Sequence, residues 1–185
     1  MLLVFVSIMS NAFSQSKKYG VTGGVQNIIL IISQGSLDTR ANETGYYIGG
    51  FTTINLSNSL DFYPSFQFAS VKDESYLILP SMLKYNISEK FNLQGGLQFT
   101  YFMGSIGVKE NNISYELIKR FSTGLAFGGG FNFTDNVTLD MRYNIGLTDI
   151  TGKDMDKFVN SLAPGSTFDG KQKMGGIQVG IGYKF

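Results

Sequence analysis

The fold is decided by the last ten residues of the chain, residues 176–185, Gly-Ile-Gln-Val-Gly-Ile-Gly-Tyr-Lys-Phe. Apolar and aromatic side chains alternate there with glycine, glutamine and lysine, which gives an extended strand one apolar face and one polar face. This pattern is typical of a strand with lipid on one side and a hydrated interior on the other. An edge strand of a soluble sandwich shows the same period of two, so the rest of the chain must decide.

Seven further segments upstream show the same alternation, at about residues 18–31, 45–56, 60–71, 76–87, 91–103, 119–133 and 137–147. The links after the second, fourth and sixth segments are tight turns, whereas the other links include three long ones, at residues 32–44, 107–117 and 148–172. Barrels of the outer membrane combine an even number of strands with short turns at the end that holds both termini. The sequence therefore predicts an all-β, eight-stranded antiparallel up-and-down transmembrane β-barrel. Pro64 in the third segment predicts a bulge.

The composition excludes several other classes. Aromatic residues make up 14% of the 185 residues and charged residues only 16%, which is too apolar for a disordered chain. The longest apolar run after the N-terminus is residues 28–32, whereas a membrane-spanning helix needs about 18 apolar residues or more. The net charge of +1 provides no basic stripe for nucleic acid.

Catalytic chemistry has little support in the residue types present. The chain contains no histidine and no cysteine, which removes the usual general bases, thiolate nucleophiles and zinc ligands. Asp149, Asp154 and Asp156 cluster near the C-terminal end, but their spacing fits no recognised calcium loop. We expect a protein that is not an enzyme and that has no cofactor or metal site.

The first 14 residues are predicted to be a signal peptide. Residues 2–9 form a short apolar core, and Ala12-Phe13-Ser14 approximates a small-x-small cleavage site. No lysine or arginine precedes the core, and the segment is short, which favours either a start codon placed too far downstream or a truncated start. The predicted mature domain is residues 15–185.

The inner faces of the segments carry a set of polar residues that we expect to fill the lumen. An eight-stranded barrel leaves an interior just wide enough for its own side chains, and buried charges are tolerated there when they are paired. A narrow proton or ion path is the less favoured interpretation. The predicted lumen network is Asp61, Lys84, Gln98, Asp140, Arg142 and Lys184, with either aspartate able to neutralise Lys84 or Arg142.

The last long loop contains the one feature that could carry recognition. Met155, Phe158, Val159 and Leu162 fall at helical spacing after Asp154, which could cap a short amphipathic helix. The apolar stripe of that helix either packs as a flap over the barrel mouth, the favoured interpretation, or binds a partner.

Four stretches carry a resemblance to a known family: residues 76–85, the glycine-rich strand before residues 131–133, residues 139–147, and the closing residues 180–185. They resemble the outer membrane protein β-barrel domain family, whose members are often labelled porin family or PorT-like. The resemblance implies a barrel in the outer membrane of a Gram-negative bacterium with periplasmic termini, and it implies no particular activity. The alternating C-terminus with Ile181, Tyr183 and Phe185 resembles the signal read by the barrel-insertion machinery.

Three functional hypotheses remain open. The first is a non-enzymatic outer-membrane barrel with a structural, adhesive or surface-binding role, in which the external loops contact a surface ligand or partner protein. The second is a barrel for small-solute transport or an accessory of secretion. The third is a soluble periplasmic barrel like a lipocalin, which would require the apolar faces to point inward.

Overall fold

Eight long strands form the wall of a closed barrel. The computed structural model describes residues 17–35, 37–72, 74–104, 107–110 and 113–185. The elements are β1 Lys17–Gln34, β2 Leu37–Asn55, β3 Leu60–Val71, β4 Glu74–Asn86, β5 Phe91–Phe102, β6 Gly107–Glu110, β7 Ile113–Glu116, β8 Phe121–Asn132, β9 Val137–Gly146, α1 Met155–Leu162 and β10 Lys171–Lys184. The predicted signal peptide lies outside the described residues, and the boundary at residue 15 stays a prediction.

The barrel closes because the first long strand pairs with the last. The order around the wall is β1-β10-β9-β8-β5-β4-β3-β2, and every neighbouring pair is antiparallel. Val25 of β1 lies between Tyr46 of β2 and Val179 of β10, which fixes the register at the seam. The predicted eight-stranded up-and-down barrel is confirmed.

Apolar side chains face outward on every wall strand. Among the exposed ones are Tyr19, Ile48, Phe66, Leu83, Leu97, Phe127, Met141 and Ile181. In the alternate positions the side chains are buried inside the barrel, as with Gln67, Gln94 and Arg142. An apolar outer surface around an interior that contains buried polar and charged side chains suits a wall that faces lipid. Within the described residues, no helix is long and apolar enough to cross a membrane.

Two predicted connections are strands instead. Residues 32–44 were expected to be a loop, but β1 and β2 continue through them and pair from Gln34 and Leu37 downward. Residues 107–117 contain a second hairpin, β6 with β7, which pairs outside the barrel sheet. The apolar run at 28–32 has no alternation, so the pattern that locates a strand is lost there, although β1 still pairs with both β2 and β10.

The bulge predicted at Pro64 is absent. The register of β3 against β4 is the same on both sides of it, from Phe62 with Leu83 to Phe68 with Leu77. The ladder between these strands is interrupted just after the pair of Pro64 with Ser81. A proline has no N–H to donate, and here the wall gives up a few ladder contacts without shifting its register.

The inner face of β8 is nearly free of side chains, which makes room for large groups from other strands. A Cβ added to Gly130 would lie 2.7 Å from Asp140 Oδ1 and 2.7 Å from Asn92 Nδ2. Gly95 is an outward-facing glycine on β5, where an added Cβ meets nothing within 4 Å. The glycines therefore have different roles on the two faces of the wall.

We predict that Gly130→Val destabilises the barrel by about 1–3 kcal/mol, because the added methyl groups must displace Asp140 and Asn92 in a packed interior. Gly95→Val is the matched control and should unfold like the wild type. Urea unfolding in lipid vesicles measures the stability of both variants. The folded fraction at each urea concentration is taken from the difference in mobility between boiled and unboiled samples on a denaturing gel. Equal stabilities of the two variants would contradict the assignment of Gly130 to a packed inner face and of Gly95 to the open outer face.

Candidate functional site

A cluster of three charges lies in the middle of the lumen. Asp140 and Arg142 are two residues apart on β9 and so point to the same side, and Lys84 reaches them from β4. Lys84 Nζ lies 3.2 Å from Asp140 Oδ1, and Arg142 Nη2 lies 3.5 Å from Asp140 Oδ2. All three side chains are less than a tenth exposed. One carboxylate therefore serves two buried cations.

Glutamine side chains surround this cluster and carry the remaining hydrogen bonds. Gln94 donates to Asp140 and accepts from Arg142 Nε at 2.9 Å. Arg142 Nη1 donates to Gln178 Oε1 at 3.3 Å, and Gln178 Nε2 in turn donates to Gln67 Oε1 at 2.8 Å and to Gln26 Oε1 at 3.0 Å. The network thus ties β1, β3, β5, β9 and β10 together across the lumen. Buried charges are tolerated when their hydrogen-bonding capacity is used in this way.

Tyr63 supplies a second partner for the cations. Lys84 Nζ lies 3.5 Å from the centroid of its ring, and Arg142 Cζ lies 5.3 Å from the same centroid. The negative face of an aromatic ring attracts cations, most strongly where water is excluded. The sequence pattern places Tyr63 inside the barrel, but no feature of the sequence indicates this contact. The Tyr63 hydroxyl has no hydrogen-bond partner among the described residues.

The other predicted lumen residues lie apart from the charge cluster. Asp61 accepts hydrogen bonds from Asn55 at 2.6 Å and from Asn86 at 2.9 Å, so it does not neutralise a lysine directly. Lys184 shares with Asp61 the lining of a small cavity of about 40 Å³ below the cluster. Gln98 is buried on β5, opposite Pro80 and Gly124, and forms no hydrogen bond with the cluster. The predicted network is therefore divided. Lys84, Asp140 and Arg142 form one group, Asp61 and Lys184 line one cavity, and Gln98 is separate from both.

Apolar side chains fill much of the remaining lumen. Phe51, Tyr63, Met82 and Ala126 form one buried group, and Tyr47, Ala69 and Ile78 form another. The sequence analysis expected a polar interior, and the structure shows a mixed one. Together with the charge cluster these groups close the lumen, as expected for so few strands.

A polar vestibule opens at the end that holds the termini. It has a volume of about 590 Å³, and Lys18, Asp61, Lys90, Asp135 and Lys184 contribute charges of both signs to its lining. The small cavity that Asp61 and Lys184 line lies above it and also borders Lys84. The vestibule ends at the charge cluster and the apolar groups around it.

The opposite mouth is covered by the chain itself. Ile150 is only 3% exposed, and its backbone accepts a hydrogen bond from Lys119 N at 2.7 Å and donates to Gln172 O at 2.8 Å. Arg120 Nη1 donates to the carbonyls of Phe102 and Gly104. A mainly apolar cavity of about 240 Å³ remains between this cover and the lumen.

The predicted helix in the last long loop is present as α1. Phe158 contacts Tyr115 of β7, with the ring centroids 5.6 Å apart, whereas Leu162 is 61% exposed. The helix therefore packs on the β6–β7 hairpin. Asp154 does not cap α1 with its side chain but accepts hydrogen bonds from Glu116 N and Lys157 Nζ. The hydrogen bond from Lys157 lowers the pKa of the Asp154 carboxyl.

The two other predicted recognition residues of the loop and the C-terminal residues are also located. Met155 and Val159 are half-buried. Ile181, Tyr183 and Phe185 are exposed on the outer side of the wall, and the last two rings lie 5.6 Å apart. Their role in insertion stays a prediction. The described residues contain no group of three side chains suited to hold a metal.

One strand edge remains open above the wall. β2 pairs with β1 along its whole length, but it pairs with β3 only from Gly45 onward. Residues 37–44 therefore have no partner strand on their second edge within the described part of the chain. All eight are exposed. We call this segment the open edge. The sequence predicts a loop there, because residues 37–44 show no alternation of apolar and polar side chains.

Residues 73–152 match the family model described as "Outer membrane protein beta-barrel domain". The match confirms the family resemblance that the sequence indicates. Curated protein sequences give no match to this chain.

Three solved structures are similar at low identity. Ail, the attachment invasion locus protein of Yersinia pestis, is 17% identical with a TM-score of 0.49, over 92% of this chain and 99% of that chain. Neisserial surface protein A is 15% identical with a TM-score of 0.47, over 92% of this chain and 100% of that chain. OprG from Pseudomonas aeruginosa is 15% identical with a TM-score of 0.44, over 92% of this chain and 97% of that chain.

We predict that Asp140→Ala destabilises the barrel by about 3–5 kcal/mol, because it leaves Lys84 and Arg142 buried without a counter-charge. Asp135→Ala, in an exposed turn, is the matched control and should change stability little. Urea unfolding in vesicles measures both losses.

The double variant Lys84→Met/Asp140→Ala tests the pairing itself. Its loss of stability should be smaller than the sum of the two single losses, because both partners of one ion pair are removed together. Additive losses would show that Lys84 and Asp140 do not interact.

Proposed function

We propose that this outer-membrane β-barrel protein is a non-enzymatic surface-binding protein, whose external end captures an extended segment of a partner protein. The open edge of β2 carries the proposal. A strand edge without a partner presents a row of free N–H and C=O groups that another chain can pair with. Addition of a peptide strand to such an edge is a recurring mode of recognition.

The distribution of the connections supports an external position for the open edge. The turns between β2 and β3, between β4 and β5 and between β8 and β9 are short and lie at the same end as both termini. The open edge, the β6–β7 hairpin and α1 lie at the other end. We propose that the termini are periplasmic, as in barrels whose longer loops are external. The insertion machinery would then read Ile181, Tyr183 and Phe185 from inside.

The charges on the open edge determine which charges a partner strand must carry. Asp38 and Arg40 lie on its outward face. A partner strand with an acidic residue opposite Arg40 and a basic residue opposite Asp38 forms favourable cross-strand pairs. The expected partner is therefore an extended peptide of complementary charge; a second copy of this chain meets the same condition only in the one antiparallel register that places Asp38 opposite Arg40.

The chemistry of the lumen supports a role without catalysis. Asp140 accepts from Lys84, Arg142 and Gln94 and is only 3% exposed, so its carboxylate is engaged by protein groups and shielded from solvent. The chain also lacks histidine and cysteine.

The test uses a labelled Thr/Val-rich peptide of eight residues, with glutamate opposite Arg40 and lysine opposite Asp38. We predict that the folded barrel in detergent micelles binds it and does not bind the same peptide methylated on alternate backbone amides, because methylation removes the ladder donors. Fluorescence anisotropy measures both. Equal binding of the two peptides would contradict strand addition.

Two proline variants locate the peptide on the protein. Adjacent residues direct their N–H groups to opposite sides of a strand, so Ala41→Pro and Asn42→Pro remove one donor each from different edges. The variant that loses a donor from the open edge should keep the stability of the barrel and lose binding. If neither variant weakens binding, the peptide binds elsewhere.

Transport of small solutes is the second candidate, and the polar vestibule below Lys84 favours it. The charge cluster and the apolar groups above the vestibule oppose it. We predict that the wild-type barrel conducts no ions in a planar bilayer, because the side chains of an eight-stranded barrel fill its interior. Steady single-channel currents that change in Lys84→Met would overturn the surface-binding proposal in favour of transport.

A further inference from the structure

Three cations lie on the outer face of the wall, near the end opposite the termini. Lys171 and Lys173 are exposed on β10, and Arg40 is exposed on β2. In the register of the sheet, Ile31 of β1 lies between Lys173 and Arg40. We call Arg40, Lys171 and Lys173 the basic rim.

The basic rim lies where the wall leaves the hydrocarbon. On the outward face of β10, Tyr183 is followed upward by Ile181, Val179 and Ile177 before Lys173 is reached. Lys173 is ten residues from Tyr183 along the strand. A tilted strand needs about 9–11 residues to cross the apolar layer. With Tyr183 at one interface, Lys173 therefore lies at the other, at the level of lipid headgroups.

The cations of the basic rim form no ion pair with a carboxylate of the described residues. None of the five ion pairs found among the described residues involves Arg40, Lys171 or Lys173. Asp149 accepts hydrogen bonds at Oδ1 from Thr151 and from the backbone N–H of Gln172.

Two acidic residues lie near the basic rim: Asp38, opposite Ser33 and one strand away from Lys171, and Asp169, two residues before Lys171. They offset two of its three positive charges. The patch is therefore net positive. Positive patches attract anionic headgroups at short range.

We propose that the basic rim binds the phosphate groups of a glycolipid in the outer leaflet, while Ile29 and Ile31 beside it contact the acyl chains. The proposal rests on the external orientation given under the proposed function. Two lysines two residues apart and an arginine across Ile31 can contact separate phosphates of one headgroup. Arginine and lysine both bind phosphate, arginine through a planar fork and lysine as a point charge.

The probe is bisphosphorylated lipid A, added to the folded barrel in a phosphocholine detergent. We predict that lipid A raises the unfolding temperature of the wild type, because a ligand that binds the folded state alone stabilises it. The variant Arg40→Gln/Lys171→Gln/Lys173→Gln should lose most of this rise. Lys90→Gln, in the exposed turn between β4 and β5, is the matched control and should keep it.

Several results would overturn the proposal. If the triple variant keeps the full rise, the basic rim is not the site. If phosphatidylglycerol, with a single phosphate, raises the unfolding temperature as much as lipid A, the basic rim binds any anionic lipid and does not recognise the glycolipid headgroup. A rise that does not diminish with added salt would contradict phosphate contacts by exposed cations.

The outcome is separable from the surface-binding proposal. The N–H of Leu56, the residue after β2, donates to Leu60 O at the start of β3, so the N–H of Asn42, an even number of residues upstream, points to the open edge. Asn42→Pro therefore alters the open edge and should keep the response to lipid A. Orientation is tested on intact cells by labelling Asn160→Cys in α1 with a membrane-impermeant maleimide, since the chain has no other cysteine. Labelling only after the cells are broken would overturn the external orientation, and with it the assignment to the outer leaflet.

Discussion

The backbone pairing of β1 with β10 is the constraint on which the rest of the structure depends. In hydrocarbon, an unpaired N–H or C=O group has no water to bond with, so a sheet can cross a membrane only when it is closed. β1 meets this requirement with β2 on one side and β10 on the other, from Gly20 to Ser33. The requirement ends at the membrane surface. Above it β2 continues beside β1 without a second partner, which a strand within the apolar layer could not do.

Closure with eight strands also dictates the interior. The lumen is so narrow that inward side chains from opposite walls meet, and each large group needs a small one near it. Glycines on β8 provide that space, with Gly128 beside Arg142 on β9 and Gly130 beside Asp140. Lys84 then lies against the ring of Tyr63 and within reach of Asp140. The packing of the lumen and the pairing of its charges therefore depend on the same arrangement of small and large residues.

The period of two predicted the wall correctly because lipid and lumen impose opposite requirements on alternate residues. It assigned Asp140, Arg142 and Lys84 to the interior. It could not give their partners, because contacts across a barrel depend on register and shear that no local pattern records. For the same reason Asp61 was grouped with the lysines, whereas it bonds with two asparagines.

The pattern failed where the two faces of a strand have the same character. Residues 28–32 are apolar on both faces because Ile28 and Leu30 line the mainly apolar cavity under the mouth, and residues 37–44 are exposed on both faces. Neither stretch carries the alternation of a membrane strand. The outer half of the β1–β2 hairpin was therefore taken for a loop. At Pro64 the sequence predicts a bulge, but the ladders of β3 with β2 and with β4 keep their register on both sides of the proline.

The tall sector of the wall, made of β10, β1 and β2, combines two features that share the side chain of Arg40 and otherwise use different groups. Side chains of a strand point to the two faces of the sheet, whereas its N–H and C=O groups lie in the plane of the sheet. The basic rim uses side chains directed outward toward lipid, and the open edge uses backbone groups directed along the circumference of the barrel. Contact of Lys173 and Arg40 with headgroups would therefore hold this sector upright and leave the edge of β2 accessible. Lipid binding and strand addition would then stabilise the same raised sheet from different directions.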